Sequence, residues 1–279
     1  MFSLPTEIVD QIIPYLSSKD YNQLIRVGRA YYSKFIKPLY QNITIEDSDK
    51  FMLFLKENAH HKHVRSIDMS HVYVDADQTE RLSVLFPYLT HYNFELDMHN
   101  DDINFPQPFL HLVSLTIVVG YSEQPLLAIF AKMPSLESLY IVDMYYEELT
   151  VDLLSHIHKL CPYLKNLYIE SFMVKRPTEE QFESLQLHNR LQTLVIRSYS
   201  LDHHYLWLRY VGFCCPNLEY LKLEDKLVSS KKPKSISYPA KFHDWFWSSC
   251  RRLIQFEAVN ITPDDLFLKK LKLQQERLQ

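Results

Sequence analysis

Histidines are the residues of this sequence best suited to metal binding, and they fall into close groups. Thirteen occur, with groups at positions 60–63, 156–158 and 203–204. Their spacing does not supply the tetrahedral ligand set of a zinc site on one helix face, and no Cys-x-x-Cys pair accompanies them. We therefore expect solvated surface histidines, no metal site and no cofactor.

The four cysteines favour structure over chemistry. They are Cys161, Cys214, Cys215 and Cys250. So few and so clustered, they do not predict a disulfide framework, and we expect reduced thiols. Cys161 and Cys215 occupy the same position of a repeat described below, next to a proline, which favours the core over nucleophilic catalysis.

Glycine content excludes several classes of enzyme. The chain has only Gly28, Gly120 and Gly212, far apart from one another. Phosphate-binding loops need several glycines within a few residues, and a G-x-S-x-G nucleophile elbow needs two. Since no cluster of acid, base and nucleophile stands out either, we predict that the protein is not an enzyme.

Charge and hydropathy bear on partners and location. The net charge is −4, and 47% of the residues are apolar. This balance predicts a well-buried core and no general attraction to nucleic acid or anionic membranes. The chain begins Met1-Phe2-Ser3 without a basic, apolar leader, and no apolar run is long enough to span a bilayer. We therefore expect a cytoplasmic and/or nuclear protein with neither nucleic-acid nor membrane partners.

One pattern, Leu-x-x-Leu-x-Leu with conservative replacements, recurs through most of the chain. The first apolar position of each copy falls at residues 40, 64, 89, 112, 136, 164, 191, 218 and 253. The intervals are mostly in the mid-twenties, and the last is longer because a polar insertion is expected at 226–241. Helical patterns lie between the copies, and Pro87, Pro134, Pro162 and Pro216 punctuate them.

The spacing within each copy predicts a short strand. Apolar residues at i and i+2 share one face of a strand, and the residues between them point the other way. Segments such as 161–171 and 215–225 resemble the cysteine-containing class of leucine-rich repeat. We therefore predict an α/β leucine-rich-repeat solenoid, with parallel strands on its concave face and helices on its convex face.

A separate pattern precedes the repeats. Pro5 and Glu7 suit a first helical turn, and Ile8, Ile12 and Leu16 recur every four residues. Asp20 is expected to cap a second helix ending at Gly28, and a third helix is expected to end at Pro38. Three short helices are thus predicted ahead of the array.

Residues 4–40 resemble the F-box, a three-helix module, and F-box proteins with a leucine-rich-repeat tail form a known family. Gly28 and Tyr31 stand where that family often has Cys and Trp. The resemblance implies docking to a Skp-type adaptor, and through it to cullin and RING subunits of a ubiquitin ligase. The implied adaptor-binding residues are Leu4, Pro5, Glu7, Ile8, Ile12, Leu16, Leu24, Val27 and Pro38. The alternative is that this module only caps the first repeat.

The repeat register also predicts a binding face. Residues between the apolar positions should form columns across the concave face, with Tyr140 beside Tyr168 and Arg197 close by. Paired tyrosines beside an arginine are typical of interface anchors, although simple stacking between neighbouring strands explains them equally well. The candidate residues for binding a protein substrate are Tyr140, Tyr168, Arg197, Lys222 and Glu170.

The predicted organisation is therefore a helical module at 1–45, a repeat array of eight to nine units at 46–260 and a C-terminal helix or cap at 261–279. The predicted function is substrate recognition for an SCF-type cullin-RING E3 ubiquitin ligase. The alternative function is a leucine-rich-repeat interaction scaffold with no role in ubiquitin ligation.

Overall fold

The computed structural model describes residues 8, 11–56, 60–74, 76–96, 105–119, 123–175, 178, 181, 187–199, 201, 204–226, 234–235 and 238–278. Within these ranges, nine strands form one fully parallel sheet whose spatial order follows the chain, β1 to β8 and then β10. Two further strands, β9 and β11, pair with each other. The strands are β1 (Asn42–Thr44), β2 (Ser66–Val74), β3 (His91–Leu96), β4 (Ser114–Val119), β5 (Ser138–Leu149), β6 (Asn166–Val174), β7 (Thr193–Ser198), β8 (Tyr220–Asp225), β9 (Lys234–Ser235), β10 (Gln255–Val259) and β11 (Ile261–Thr262).

Helices precede the sheet, connect most of its strands and follow it. They are α1 (Ser18–Val27), α2 (Arg29–Gln41), α3 (Ser48–Lys56), α4 (Ala76–Leu85), α5 (Glu123–Ala131), α6 (Val151–Leu160), α7 (His204–Cys214), α8 (Ala240–Ser249) and α9 (Asp265–Leu278). Among the described helices, none combines the length and the apolar character that crossing a bilayer requires.

The apolar positions of the repeat lie opposite one another in the sheet. Leu139 of β5 pairs with Leu167 of β6, which pairs with Leu194 of β7. These side chains are fully buried, together with apolar residues of the covering helices such as Leu153 and Ile157. Sequential parallel strands with helices on one face form the predicted leucine-rich-repeat solenoid.

In the repeat units, short turns carry the chain into each strand of the large sheet from β2 onwards. The amide of Leu136 donates to the carbonyl of Met133, and the amide of Leu164 donates to that of Cys161, so two units turn in the same way. The next residue starts the pairing, since the amide of Lys165 donates to the carbonyl of Glu137. Each of the nine strands of the large parallel sheet therefore begins at the same edge, which we call the amino edge.

The N-terminal helices differ from the sequence prediction in two details. Ser17, rather than Asp20, caps α1, and the two residues form a capping box in which each side chain accepts from the other's backbone amide. This geometry needs the acid three residues inside the helix, which is where Asp20 lies. The third predicted helix, α2, continues through Pro38 to Gln41, because Leu39, beyond the proline, packs against the buried core of the module.

This N-terminal module has a small core of its own. Tyr21 and Phe35 are buried there, surrounded by half-buried residues that include Leu16, Leu24 and Tyr31. The Tyr21 hydroxyl also donates to the carbonyl of Ile13. Tyr31 stacks on Phe35 with ring centroids 6.2 Å apart, so an aromatic side chain fills the module at this position.

Asp264 organises the C-terminal end of the array. Its carboxylate accepts from the backbone amides of Tyr238 and Phe267, and it lies 3.1 Å from the buried ring of His243. The bond to Phe267 caps α9, while the other two tie in α8 and the segment before it. Within the expected insertion, Tyr238 is buried and β9 pairs with β11, whereas residues 227–233 and 236–237 lie outside the described structure.

Candidate functional site

The concave face of the sheet, which is turned away from the helices, presents the residues that lie between the buried apolar positions of each repeat. Asp68, Asn93, Thr116, Tyr140 and Tyr168 lie opposite one another on successive strands. The same column continues through Val195, Lys222 and Glu257. This is the register expected from the repeat. The repeat also predicts a second column, two residues further along each strand. Register shifts in β2 and β5 interrupt it, because Ser70 does not pair with Glu95 and Val142 does not pair with Glu170.

Tyr140 and Tyr168 form a stacked pair at the centre of this concave face. Their ring centroids are 4.3 Å apart and the ring planes differ by 7°. Burial is the main cause that raises the pKa of Tyr140, and contact with Tyr168 raises it further. Both rings are only half-buried. The pair therefore presents rigid aromatic surface that a partner can cover at little cost in side-chain entropy.

Ion pairs surround the tyrosines on the side towards the C-terminus. Arg197 Nε lies 3.1 Å from the Glu224 carboxylate, and Lys222 Nζ lies 3.3 Å from the same group. Lys222 also lies 3.6 Å from Glu257. Each of these cations has a carboxylate neighbour, so this part of the face carries little net charge.

Lys226 and Glu170 form a further ion pair across two strand intervals. The Lys226 ammonium also lies 5.5 Å from the ring centre of Tyr199. The lysine belongs to the segment expected to be a polar insertion, and nothing in the local sequence indicated that it reaches back to β6. Residue spacing within a repeat predicts columns of neighbours, but not a side chain that crosses from one column to another.

Tyr220 is a second residue of the face that the sequence prediction omitted. It starts β8, opposite Thr193. Burial raises its pKa, and a hydrogen bond and the negative charge at Glu257 act in the same direction. The available signal was its position two residues before Lys222, which places both side chains on one face of the strand.

The residues implied in adaptor docking divide into three groups. Leu4, Pro5 and Glu7 lie outside the described residues. Leu16, Leu24 and Pro38 are half-buried, and the two leucines pack in the module core. Ile8, Ile12 and Val27 are exposed by 42%, 37% and 54% of their surface. Of the two groups that the structure describes, the exposed one is free to bind a partner without unpacking the module.

Several histidines lie in the interior of the fold. The expectation of surface histidines is wrong for His61 and His158, which are buried because apolar and aromatic groups cover them. His158 stacks on the buried His188 with ring centroids 3.5 Å apart. Within the described ranges, no three histidine, cysteine or acidic side chains are grouped to hold a metal ion.

All four cysteines are buried and unpaired with one another. Burial raises the pKa of Cys161, Cys214 and Cys250 to about 12, and that of Cys215 above its ordinary value. The thiols therefore stay protonated at neutral pH, which makes them poor nucleophiles.

Comparisons with known proteins add two structural neighbours. No family model and no curated protein matches the chain. The mouse RP105/MD-1 complex is similar with a TM-score of 0.48 and 15% identity, over 85% of this chain and 38% of the mouse chain. The yeast complex of Rad7 and Elc1 has a TM-score of 0.37 and 16% identity, over 99% of this chain and 79% of the yeast chain. This chain thus spans well under half the length of the mouse chain, and at these values neither similarity bears on function.

Proposed function

We propose that this chain is the substrate-recognition adaptor of an SCF-type cullin-RING E3 ubiquitin ligase. The N-terminal module would dock to a Skp-type adaptor, which joins it to the cullin and RING subunits. The concave face would bind a protein substrate, in the cytoplasm or the nucleus. The chain performs no catalytic step in this proposal, and it acts by holding substrate lysines near the charged ubiquitin carrier.

The observation that carries the proposal is the exposed apolar surface of the module. Ile8, Ile12 and Val27 remain accessible, and Tyr15 is 88% exposed, although the module has the separate core around Tyr21 and Phe35. A small module that has satisfied its own core and still exposes several large apolar side chains is typical of a docking element.

Adaptor docking is tested by co-purification with an isolated Skp-type adaptor. We expect the full chain to retain the adaptor and the double variant Ile12→Asp/Val27→Asp to lose it. Leu53→Asp is the matched control, because Leu53 is 61% exposed on α3, in the array. Failure of the unaltered chain to bind, or equal binding by the double variant, would contradict the docking role.

Substrate binding is assigned to the stacked tyrosines, with Arg197, Lys222 and Glu170 around them. The variant Tyr140→Ala/Tyr168→Ala should lose the proteins that co-purify with the unaltered chain while retaining the adaptor. Tyr140→Phe/Tyr168→Phe keeps both rings and is expected to retain those proteins. If the alanine variant captures the same proteins, the concave face is not the substrate site and the two rings only stack on each other.

A leucine-rich-repeat scaffold without a ligase connection is the second candidate. The observation favouring it is that α2 leads directly into β1, and the Tyr32 hydroxyl lies 3.0 Å from His60 Nε2 at the start of the next unit. Such contacts suit a helical cap. Under this reading the folded chain would recover substrates but no Skp-type adaptor.

A further inference from the structure

The amino edge of the sheet differs in charge from the rest of the molecule. We define it by the first apolar position of the Leu-x-x-Leu-x-Leu pattern in each unit from Val64 to Leu253. The strip consists of the two residues before and the one residue after each of these positions. The strip holds six cations, Lys62, Arg65, Lys165, Arg190, Arg251 and Arg252, and two carboxylates, Glu137 and Glu219, giving a net charge of +4. The whole chain carries −4. The edge is therefore a basic strip on an acidic protein.

Two cations of this strip, Arg65 and Arg190, keep their charge available to a partner. Lys165 differs from them, because its ammonium lies 2.8 Å from the Glu137 carboxylate. The Arg65 guanidinium donates to backbone carbonyls, and it also lies 5.0 Å from the ring centre of Tyr88. Arg190 lies 4.5 Å from the ring centre of Tyr163. Among the described residues, neither arginine has a carboxylate partner, so each retains its charge for an incoming anion.

Exposed apolar side chains lie between and beside the two arginines. Tyr88 and Tyr163 are 48% and 47% exposed, and Leu110 and Leu187 are 57% and 63% exposed. A shallow cavity of about 340 Å³ opens on this edge, with Leu110 and Tyr163 among its lining residues. The lining also includes His111, Val113, Ser135 and the paired Glu137. Leu110, Val113 and Tyr163 give one part of this cavity an apolar wall that an apolar side chain can contact.

The spacing along the strip selects the kind of partner. Arg65 belongs to the β2 unit and Arg190 to the β7 unit, five strand intervals apart, which is about 24 Å at ~4.8 Å per strand. An extended peptide of about seven residues spans that distance. The six cations spread over roughly 34 Å in three groups, at the β2, β6–β7 and β10 units, so acidic residues near both ends of such a peptide would meet the first two groups.

Double-stranded nucleic acid fits the charge and the exposed apolar side chains of this strip less well than an acidic peptide does. It carries about one charge per 1.7 Å of axis, or about twenty over the same length, and its phosphates gain nothing from exposed leucines. We propose that the amino edge binds an extended acidic peptide segment of a protein partner, with the cavity beside Tyr163 taking an apolar side chain. This surface is separate from the adaptor-docking and concave faces, so the inference does not depend on the proposed function.

The test is fluorescence anisotropy with the full chain and a labelled nonapeptide. The peptide has glutamate at positions one, three, seven and nine, leucine at position five and serine at the other positions. We expect saturable binding that weakens with salt. The variant Arg65→Glu/Arg190→Glu should bind at least about tenfold more weakly, because each arginine becomes a like charge. The control Lys19→Glu/Lys241→Glu makes the same change in net charge at exposed positions near the starts of α1 and α8, and it should bind as the unaltered chain does.

Two further arms test the assignment of the partner. Replacing the central leucine of the peptide by glycine should weaken binding, and so should Tyr163→Ala. No binding of the peptide, equal binding by the edge variant and its control, or indifference to the central leucine would overturn the proposal. So would a labelled thymidylate dodecamer that binds more tightly than the peptide and depends on the same two arginines, which would assign the strip to nucleic acid.

Discussion

Replacing Gly212 by alanine should change the free energy of unfolding, and one neighbouring side chain, Trp245, decides the direction of the change. Gly212 lies near the end of α7, where α8 crosses it. A Cβ atom at Gly212 would lie 2.5 Å from Cη2 and 2.9 Å from Cζ3 of Trp245. Carbon atoms in contact prefer about 3.5–4.0 Å, so the substitution Gly212→Ala requires a shift of roughly 1 Å.

Two opposing contributions decide the sign. Overpacking of this kind costs about 1–3 kcal/mol, whereas alanine in a helix interior is favoured over glycine by about 1 kcal/mol. The gain is reduced near a helix end, and the indole is held between Phe213 and Phe242, with ring centroids 4.7 Å and 5.8 Å away. We therefore expect Gly212→Ala to lower the free energy of unfolding by about 1–2 kcal/mol.

The assay is urea unfolding followed by helical circular dichroism in two backgrounds. In a Trp245→Ala chain the clash is absent, so Gly212→Ala should leave stability unchanged or raise it by up to about 1 kcal/mol. Gly28→Ala is the control in the unaltered chain, since no atom lies within 4 Å of a Cβ built there. A stabilising effect of Gly212→Ala in the unaltered chain, or the same loss in both backgrounds, would refute the reasoning.

Three more predictions concern caps, protons and thiols. Ser17→Ala removes the capping box of α1 and should cost about 1 kcal/mol, measured as an earlier loss of helical signal in the module. Burial lowers the pKa of His188 to about 4 and holds that of His158 well below its ordinary value, so both rings are neutral in the fold. Unfolded histidine takes up a proton near pH 6.5, so the unfolding free energy should fall from about pH 6.5 to about pH 4, and His158→Gln/His188→Gln should flatten that slope. The four buried cysteines should resist iodoacetamide at pH 8 in the native chain and react fully in urea, and prompt modification of the native chain would contradict their placement.

The repeat illustrates how far local patterns determine a fold. Each unit carries its own strand, turn and helix signals within about 25 residues, and neighbouring units share one register. Periodicity therefore sufficed to predict the strand order and the opposition of Tyr140 and Tyr168. It did not predict the register shifts in β2 and β5, which depend on how each connection fits over the core.

Helix ends were less predictable than helix positions. The sequence placed the cap of α1 at Asp20, three residues late, because serine and aspartate are both good caps and the capping box contains both. It ended α2 at Pro38, where proline usually stops a helix, although Leu39, beyond the proline, packs against the module core and the ring of Tyr40 lies 4.6 Å from that of His60. Tertiary contacts outweighed the local signal there.

The sequence by itself determined the solenoid, the buried anchors and the presence of a distinct N-terminal module, because these follow from apolar spacing along the chain. Only the tertiary structure decided which polar groups meet. Lys226 pairs with Glu170 across 56 residues, His158 stacks on His188, and Arg65 and Arg190 lie on one edge without carboxylate partners among the described residues. Such pairings depend on side-chain reach between neighbouring units, for which apolar periodicity carries no information.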